Sequence, residues 1–505
     1  MSLIVSLDLG ITLAKCVIYD HTGKAVSEAQ EEMNLKYPGP GMAEHSSNDF
    51  YDASCRMIAR AIANPAVDKK DIKCIAADSQ MGGVVSVDKD FVPVTYFDSP
   101  LDNRATEETS YINSNFGDLI IKKNGAFSWY GQKILYWQKK KDIFKNIASF
   151  IPPSAFVAGK LAGLKGRQAF IDDVSLSLSG LSDLKSSKWD EELIGLLKVD
   201  ERCLPVIKRP TDIIGTLTAK AAAECGLPLG IPIAAGCGDI SAGFTGAGII
   251  NPGQMIDISG TGCMMGAAVS EFKYDLKHKT LYCTKSPVKD MYYLHSIVPS
   301  GKTHKWFVDE FFTETKEELG QSGGNIYEYL EKQLEKIPCG SDGLISINFL
   351  QGRYSPPEPY TKGLFIGHTW AHTRLHFLRA IMESMAYDHY LTKEIISELV
   401  PNLNFKSIAA IGSGAKSRFW MQLKSDILQV PYHNLIRSDS SSLGAAIVGG
   451  CAIGLFKDVD KTISDFVVKK DELNPVAGED KKYLKYINIY KELFELLKDT
   501  YRKLA

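Results

Sequence analysis

Asp239 stands in the run PIAAGCGDISAGFTGAG, with Gly236, Gly238 and Gly243 close by. An acid among residues too small to shield it is a poor core element. It suits a base that must reach a hydroxyl and leave room for an incoming phosphoryl group. The same carboxylate can also cap the helix predicted after it, and a helix N-terminus favours anionic oxygens, so the two readings are compatible. A second acidic turn, SLDLGITLAK, opens the chain. There Asp8 ends a strand, Gly10 allows a tight turn with free backbone amides, and Thr12 and Lys15 add donors. Such a turn can cradle phosphate oxygens, and its carboxylate can hold Mg²⁺ through water; alone, it also reads as a plain hairpin.

Three further glycine turns match this chemistry. Gly260-Thr261-Gly262 follows a predicted strand and suits phosphate binding. Gly412-Ser413-Gly414-Ala415 lies between a predicted strand and a helix, and Gly301 precedes Lys305 and Trp306 where a backbone could pass close to a base or ribose. Each is a weak signal; together, and in this order, they predict a nucleotide held between two related halves.

The elements that must carry these turns follow from hydrophobic period. Leu3 to Leu7, Lys15 to Tyr19 and Ala25 to Met33 form a predicted meander, followed by a helix over Asn48 to Ile62 and strands at Ile72 to Ala77 and Val84 to Val87. The second half repeats the order: strands at Ile231 to Ala235, Gln254 to Ser259 and Cys263 to Val269, a helix from His372 to Leu399, a strand at Ser407 to Ile411 and a helix from Ser417 to Leu428. The small residues of Ser442 to Leu455 predict a helix packed tightly on a neighbour, and Lys481 to Lys503 a closing amphipathic helix on the second domain. FTGAGIINPG punctuates the chain near 244–252, so we expect two α/β domains, 1–246 and 247–505.

Composition narrows the class. A chain of 505 residues exceeds one core, and 45% hydrophobic with 23% charged residues is ordinary globular composition. A net charge of −2 gives no basic field, so neither nucleic acid nor an anionic membrane is an expected partner. No apolar run is long enough for a membrane helix, the N-terminus does not read as a signal peptide, and the ten scattered cysteines form no CxxC pair; a cytoplasmic setting is expected. His368, His372 and His376 read as packing or surface residues, and Asp172 and Asp173 as a polar loop.

Colinear motifs then carry a resemblance over almost the whole chain: GMAEHSSNDFYDA, the Gln80-Met81 turn, KWDEELIGLL, GLPLGIPIAAGCGD, SGKTHKWFVDEFF, GSGAKSRFWMQLKSDILQVP and SSLGAAIVGGCAIGLF. The stretches Trp129 to Trp137 and Gly363 to Glu383 correspond, imperfectly, to the family's two signature regions. The chain resembles the FGGY family of carbohydrate kinases, in its pentulose-kinase branch. The resemblance implies two actin-like, RNase H-like α/β domains with MgATP in the cleft between them, and allows a homodimer. It implies Asp239 as general base, Asp8 and Asp239 near Mg²⁺, and Thr12 and Lys15, with Gly10, by the transferred phosphate. Gly260 and Thr261 would contact the β- and γ-phosphates, and Gly301, Lys305, Gly412, Ser413 and Ala415 would line the nucleotide. Gln80, Met81, Gly82, Asp102 and Arg104 would form the sugar side.

Three departures bear on the substrate. Gly82 stands where a histidine is frequent, Ile240 where an amide is frequent, and Pro100 where a tryptophan is usual. The implied activity is ATP-dependent phosphorylation of a ketopentose or related polyol at a primary hydroxyl. The alternatives are a glycerol-, erythritol- or gluconate-type kinase and a non-catalytic actin-like ATPase regulator.

Overall fold

The computed structural model describes residues 2–260, 263–298, 301–437 and 439–504. Two seven-stranded sheets dominate it. The first runs in the order Ile213–Thr216, Pro232–Ala234, Ile72–Ser79, Leu3–Leu9, Leu13–Asp20, Ala25–Glu32, with Cys237–Gly238 adding to Ile72–Ser79. The second runs Tyr282–Lys285, Tyr292–Val298, Cys263–Val269, Gln254–Ser259, Ser407–Ile411, Tyr432–Leu435, Lys469–Leu473. Counted from Ala25–Glu32 in the first sheet and from Tyr292–Val298 in the second, both pair antiparallel twice, parallel twice, then antiparallel once, and Tyr282–Lys285 adds one further antiparallel pair at the edge of the second. The repeat is one of pairing, and it begins later than the sequence reading placed it: Pro232–Ala234, read as opening the second half, pairs with Ile72–Ser79 in the first sheet.

Strand Leu3–Leu9 shows why the site forms where it does. Leu3, Val5, Leu7 and Leu9 pack with Phe50, Met57 and Ile58 of helix Ser47–Ala61. Ile4 points the other way and packs with Cys74 and Ala76, under Leu443, Ala446 and Ile447 of helix Ser440–Ala452. Because alternate side chains take opposite faces, Ser6 and Asp8 fall on the Ser440–Ala452 side, and so does Asp78 after Cys74 and Ala76. Ser6 Oγ donates to the Ser442 carbonyl at 2.6 Å. Both faces are covered, which explains strands that read as near-continuous apolar runs.

Helix Ser440–Ala452, late in the chain, lies on the first sheet and crosses helix Asp239–Gly246 at backbone contact. A Cβ on Gly444 would fall 1.9 Å from the Ala242 carbonyl oxygen, and one on Gly246 would fall 1.8 Å from that of Ser440. The small residues are the condition for that approach. Helix Arg374–Leu399 carries the second core, and the closing helix Asp480–Lys503 packs Tyr483, Ile487 and Tyr490 onto it, with Tyr490 Oη donating to Asp388 Oδ1 at 2.9 Å.

Asp172 and Asp173, read as a polar loop, are buried. Asp172 ends strand Phe170–Asp172 fully buried, accepting from the amides of Val174 and Ser175, while Asp173 pairs with Lys285 at 2.9 Å. A polar sequence signalled a turn but could not reveal that turn's burial. Among the described residues no helix is long and apolar enough to cross a membrane.

Candidate active site

Four carboxylates converge at the C-terminal ends of the first sheet's central strands. Asp8 and Asp78 face each other in register on parallel strands, and Cys237, two residues before Asp239, pairs with Asp78 on its other side. Asp78 is 0% exposed, and neither of its side-chain oxygens has a hydrogen-bond partner. Ser441 Oγ, at the start of helix Ser440–Ala452, donates to Asp8 Oδ2 at 2.8 Å. Lys15 Nζ lies 3.5 Å from Asp439. Each additional negative charge here opposes ionisation of the others.

Asp239 is the first residue of helix Asp239–Gly246, and Gly238 is the N-cap, so the capping role expected of Asp239 falls one residue earlier. Its carboxylate accepts from the Ile240 amide at 2.8 Å and from the Met81 amide. Burial, then the charge of Asp8, pushes its pKa up to about 7. Asp8 is raised by burial, with the Ser441 hydrogen bond opposing. Asp78 is held well above the usual carboxylate range by burial and then by the charges of Asp8 and Asp239. Gly236 makes the approach feasible: its φ is +74°, and a Cβ there would sit 1.9 Å from the Ala77 carbonyl oxygen.

Gln80 closes the same turn. Its backbone amide donates to the Leu9 carbonyl at 3.1 Å and its Nε2 to the Gly10 carbonyl at 3.4 Å. Met81 lies against Gly238, and Gly82 against Trp129. Thr12 is exposed at the tip of the first turn. Asp102 and Arg104 are turned to each other: the Arg104 side chain, 8% exposed, grips both Asp102 oxygens and donates to Glu44 at 2.6 Å, while Asp102 Oδ2 accepts from the Ala43 amide.

The glycine turns of the second half gather around a separate cavity of about 510 Å³. Gly260, Gly301, Lys305 and Ser413 line it, with Tyr327, Met382 and Trp420 forming an apolar end. Gly301 stands so close to Gly260 that a Cβ would fall 1.7 Å from the Gly260 carbonyl oxygen. Gly412, at φ +88°, packs on Ser259, and Ala415 is buried behind it. Thr261 lies outside the described residues. Another cavity, of about 580 Å³, between helix Arg374–Leu399 and the closing helix, is lined by none of the residues singled out from the sequence.

Several contributors were not singled out. Asp78, Asp439 and Ser441 complete the acidic end. Beneath the cavity, Lys424 Nζ lies 2.7 Å from Asp257 Oδ2 and donates to Ser259 Oγ at 2.6 Å, tying the strand before Gly260 to the helix after Ala415. ADSQM, ending a strand just before the Gln80 turn, was the signal for Asp78; a lysine among apolar helix positions was the signal for Lys424. His372 and His376 bond to Thr369 and Thr373 as local contacts, and among the described residues no three His, Cys, Asp or Glu side chains are placed to hold a metal ion directly.

The site is thus spread over a duplicated α/β sheet, with an acid at a helix start on one half and a glycine-bounded cavity on the other. The chain belongs to the FGGY family of carbohydrate kinases: the family's N-terminal domain matches residues 3–246 and its C-terminal domain residues 257–453. It is 25% identical over 504 residues to the xylulose kinase of Bacillus subtilis (strain 168), covering 99% of this chain and 98% of that one. Among solved structures, ligand-bound xylulose kinase from Lactobacillus acidophilus superposes with a TM-score of 0.90 at 25% identity, covering 100% of both chains. Gluconate kinase from the same organism superposes with a TM-score of 0.90 at 24% identity, covering 100% of both chains.

Proposed function

We propose that this kinase transfers the γ-phosphoryl group of ATP to the primary hydroxyl of a ketopentose-like sugar or polyol, with Asp239 as the base. The division between its domains falls after residue 246. What carries the reading is Asp239 itself: a half-buried carboxylate at a helix start, bordered by glycines and held by two backbone amides.

In this reading the acceptor sits against Gln80, Met81 and Gly82, with Asp102 and Arg104 paired to each other on the sugar side. Asp239 takes the hydroxyl proton as the oxygen attacks phosphorus in line with the departing ADP. Gly10, Thr12 and Lys15 meet the transferred group from the first half. Gly260, Thr261, Gly301 and Ser413 hold the remaining phosphates and ribose from the second, with Lys305, Gly412 and Ala415 shaping the cavity. Closure of the two halves excludes water, which prevents wasteful hydrolysis.

The acidic end fits a divalent cation. Asp8, Asp78, Asp239 and Asp439 lie together, with Lys15 3.5 Å from Asp439, and the Asp78 carboxylate is buried without a donor. Asp8 and Asp239 would hold Mg²⁺ through its waters, since this ion dehydrates reluctantly. Bound there, it would neutralise charge on the phosphate oxygens. The ten cysteines, all unpaired, support a reducing, cytoplasmic setting.

The experiment is ADP release by the purified protein with MgATP against pentuloses, pentitols, glycerol, erythritol and gluconate. Strong stimulation by a pentulose or close analogue is expected. Slow hydrolysis indifferent to every sugar would remove the proposal.

A further inference from the structure

We propose that Cys55 and Cys225 form a modification site: a dithiol that hydrogen peroxide converts into a reversible disulfide within the first domain.

The two residues are 170 apart in sequence, yet their sulfurs lie 3.3 Å from each other. Little more than an ångström separates that from an S–S bond of about 2.05 Å. Cys55 lies within helix Ser47–Ala61, and Cys225 ends helix Ala219–Cys225. Both belong to one core cluster with Ala53, Met57, Ala221 and Ala222, so the packing of the helices holds the sulfurs together. Cys225 is 0% exposed and Cys55 6%, so a small oxidant meets Cys55 first.

The surroundings favour Cys55 as the attacking thiolate. The Cys225 S–H donates to Cys55 Sγ and, against burial, holds the Cys55 thiol below its usual range. The Tyr51 hydroxyl adds to this, while the charges of Glu224 and Asp52 oppose it. Lys160 Nζ stands 4.3 Å over the Tyr51 ring, and its charge interacts favourably with that of Cys55. The other nine cysteines are all held above the usual thiol range, Cys225 by Cys55 first and the rest by burial first. Oxidation follows thiolate character and exposure, which singles out Cys55.

The chemistry balances with peroxide alone. The Cys55 thiolate attacks one peroxide oxygen; an S–O bond forms, the O–O bond breaks, and the departing hydroxide takes up the thiol proton as water. The Cys225 sulfur then attacks Cys55 Sγ. An S–S bond forms, the S–O bond breaks, and the second hydroxide leaves as water with the Cys225 proton. Two thiols are oxidised and one peroxide is reduced to two waters. The loop so closed carries Gln80, Asp102 and Arg104 and ends before Asp239. Closing so long a loop restricts the unfolded chain far more than the folded one.

The test treats reduced wild-type protein with hydrogen peroxide, alkylates the remaining thiols under denaturing conditions and maps peptides by mass. A linked Cys55–Cys225 peptide that dithiothreitol abolishes is expected, formed at least about tenfold faster than any other cysteine is lost. The oxidised protein is expected to unfold at a higher urea midpoint than the reduced one. In Cys225→Ser, dimedone is expected to trap Cys55 as its sulfenic acid, and the gain in midpoint to vanish. Thiols that all survive peroxide, Cys55 carried to sulfinic acid without a link, or a link to another cysteine overturns the inference. The wild-type map alone decides this, so no variant need fold. A link that leaves the urea midpoint unchanged overturns its effect on the fold.

Discussion

Asp8 and Asp78 stand opposite each other on neighbouring parallel strands, on one face of the sheet, and Asp78 has no hydrogen-bond partner for either oxygen. Like charges so placed cannot both ionise without a nearby cation. The folded protein therefore retains protons that the unfolded chain has released above about pH 4. The unfolded state binds fewer protons in that range, so stability falls as pH rises from about 4 towards the native value of about 7 for Asp239. In metal-free buffer, the urea midpoint should drop between pH 5 and pH 8. Asp78→Asn should flatten that slope and raise the midpoint at pH 8. An unchanged slope would show that Asp78 is solvated or paired.

Asp239→Asn should reduce turnover by about 10²- to 10⁴-fold, the range for loss of a general base, while the Kd for ADP measured by calorimetry stays within about twofold. In the wild type, kcat/KM should rise with pH through about 7, because only the ionised carboxylate accepts a proton and burial holds its pKa there. Near-wild-type turnover in the variant would discard Asp239 as the base.

Gly301→Ala places a methyl 1.7 Å from the Gly260 carbonyl oxygen. Neither backbone can yield without moving the turn, so overpacking of about 1–3 kcal/mol is expected. The KM for ATP should rise by at least about tenfold, with the affinity for sugar nearly constant. Equal losses in both affinities would place Gly301 in general folding instead.

Lys424→Met leaves buried Asp257 without its cation, with the Ser259 hydroxyl at 2.7 Å and His389 at 3.8 Å still beside it; Lys424 and Asp257 are 2% and 1% exposed. Breaking one partner of such a pair costs about 3–5 kcal/mol, whereas removing both is often nearly neutral. Urea denaturation should show a large loss for Lys424→Met and substantial recovery in Asp257→Asn/Lys424→Met. Additive losses would contradict the pairing.

Much of the framework was legible from short-range signals. Strands Gln254–Ser259, Cys263–Val269 and Ser407–Ile411 coincide with their predicted limits, and helix Arg374–Leu399 begins two residues late. Period-two burial and glycine punctuation extend over only a few residues, and those residues carry the whole signal. The acidic turns and the glycine turns were visible for the same reason.

Tertiary structure decided what distant segments do to one another. Register alone sets Asp78 against Asp8, and the packing of helix Ser440–Ala452 on the first sheet delivers Ser441 to the Asp8 carboxylate. Arg104, expected on the sugar side, is bound to Asp102 and Glu44 because burial requires a partner for its charge. Gly82 reads as a missing side chain, and only the fold reveals that the Trp129 ring lies against it. Local chemistry named the residues able to act; burial on both faces of a sheet chose their neighbours.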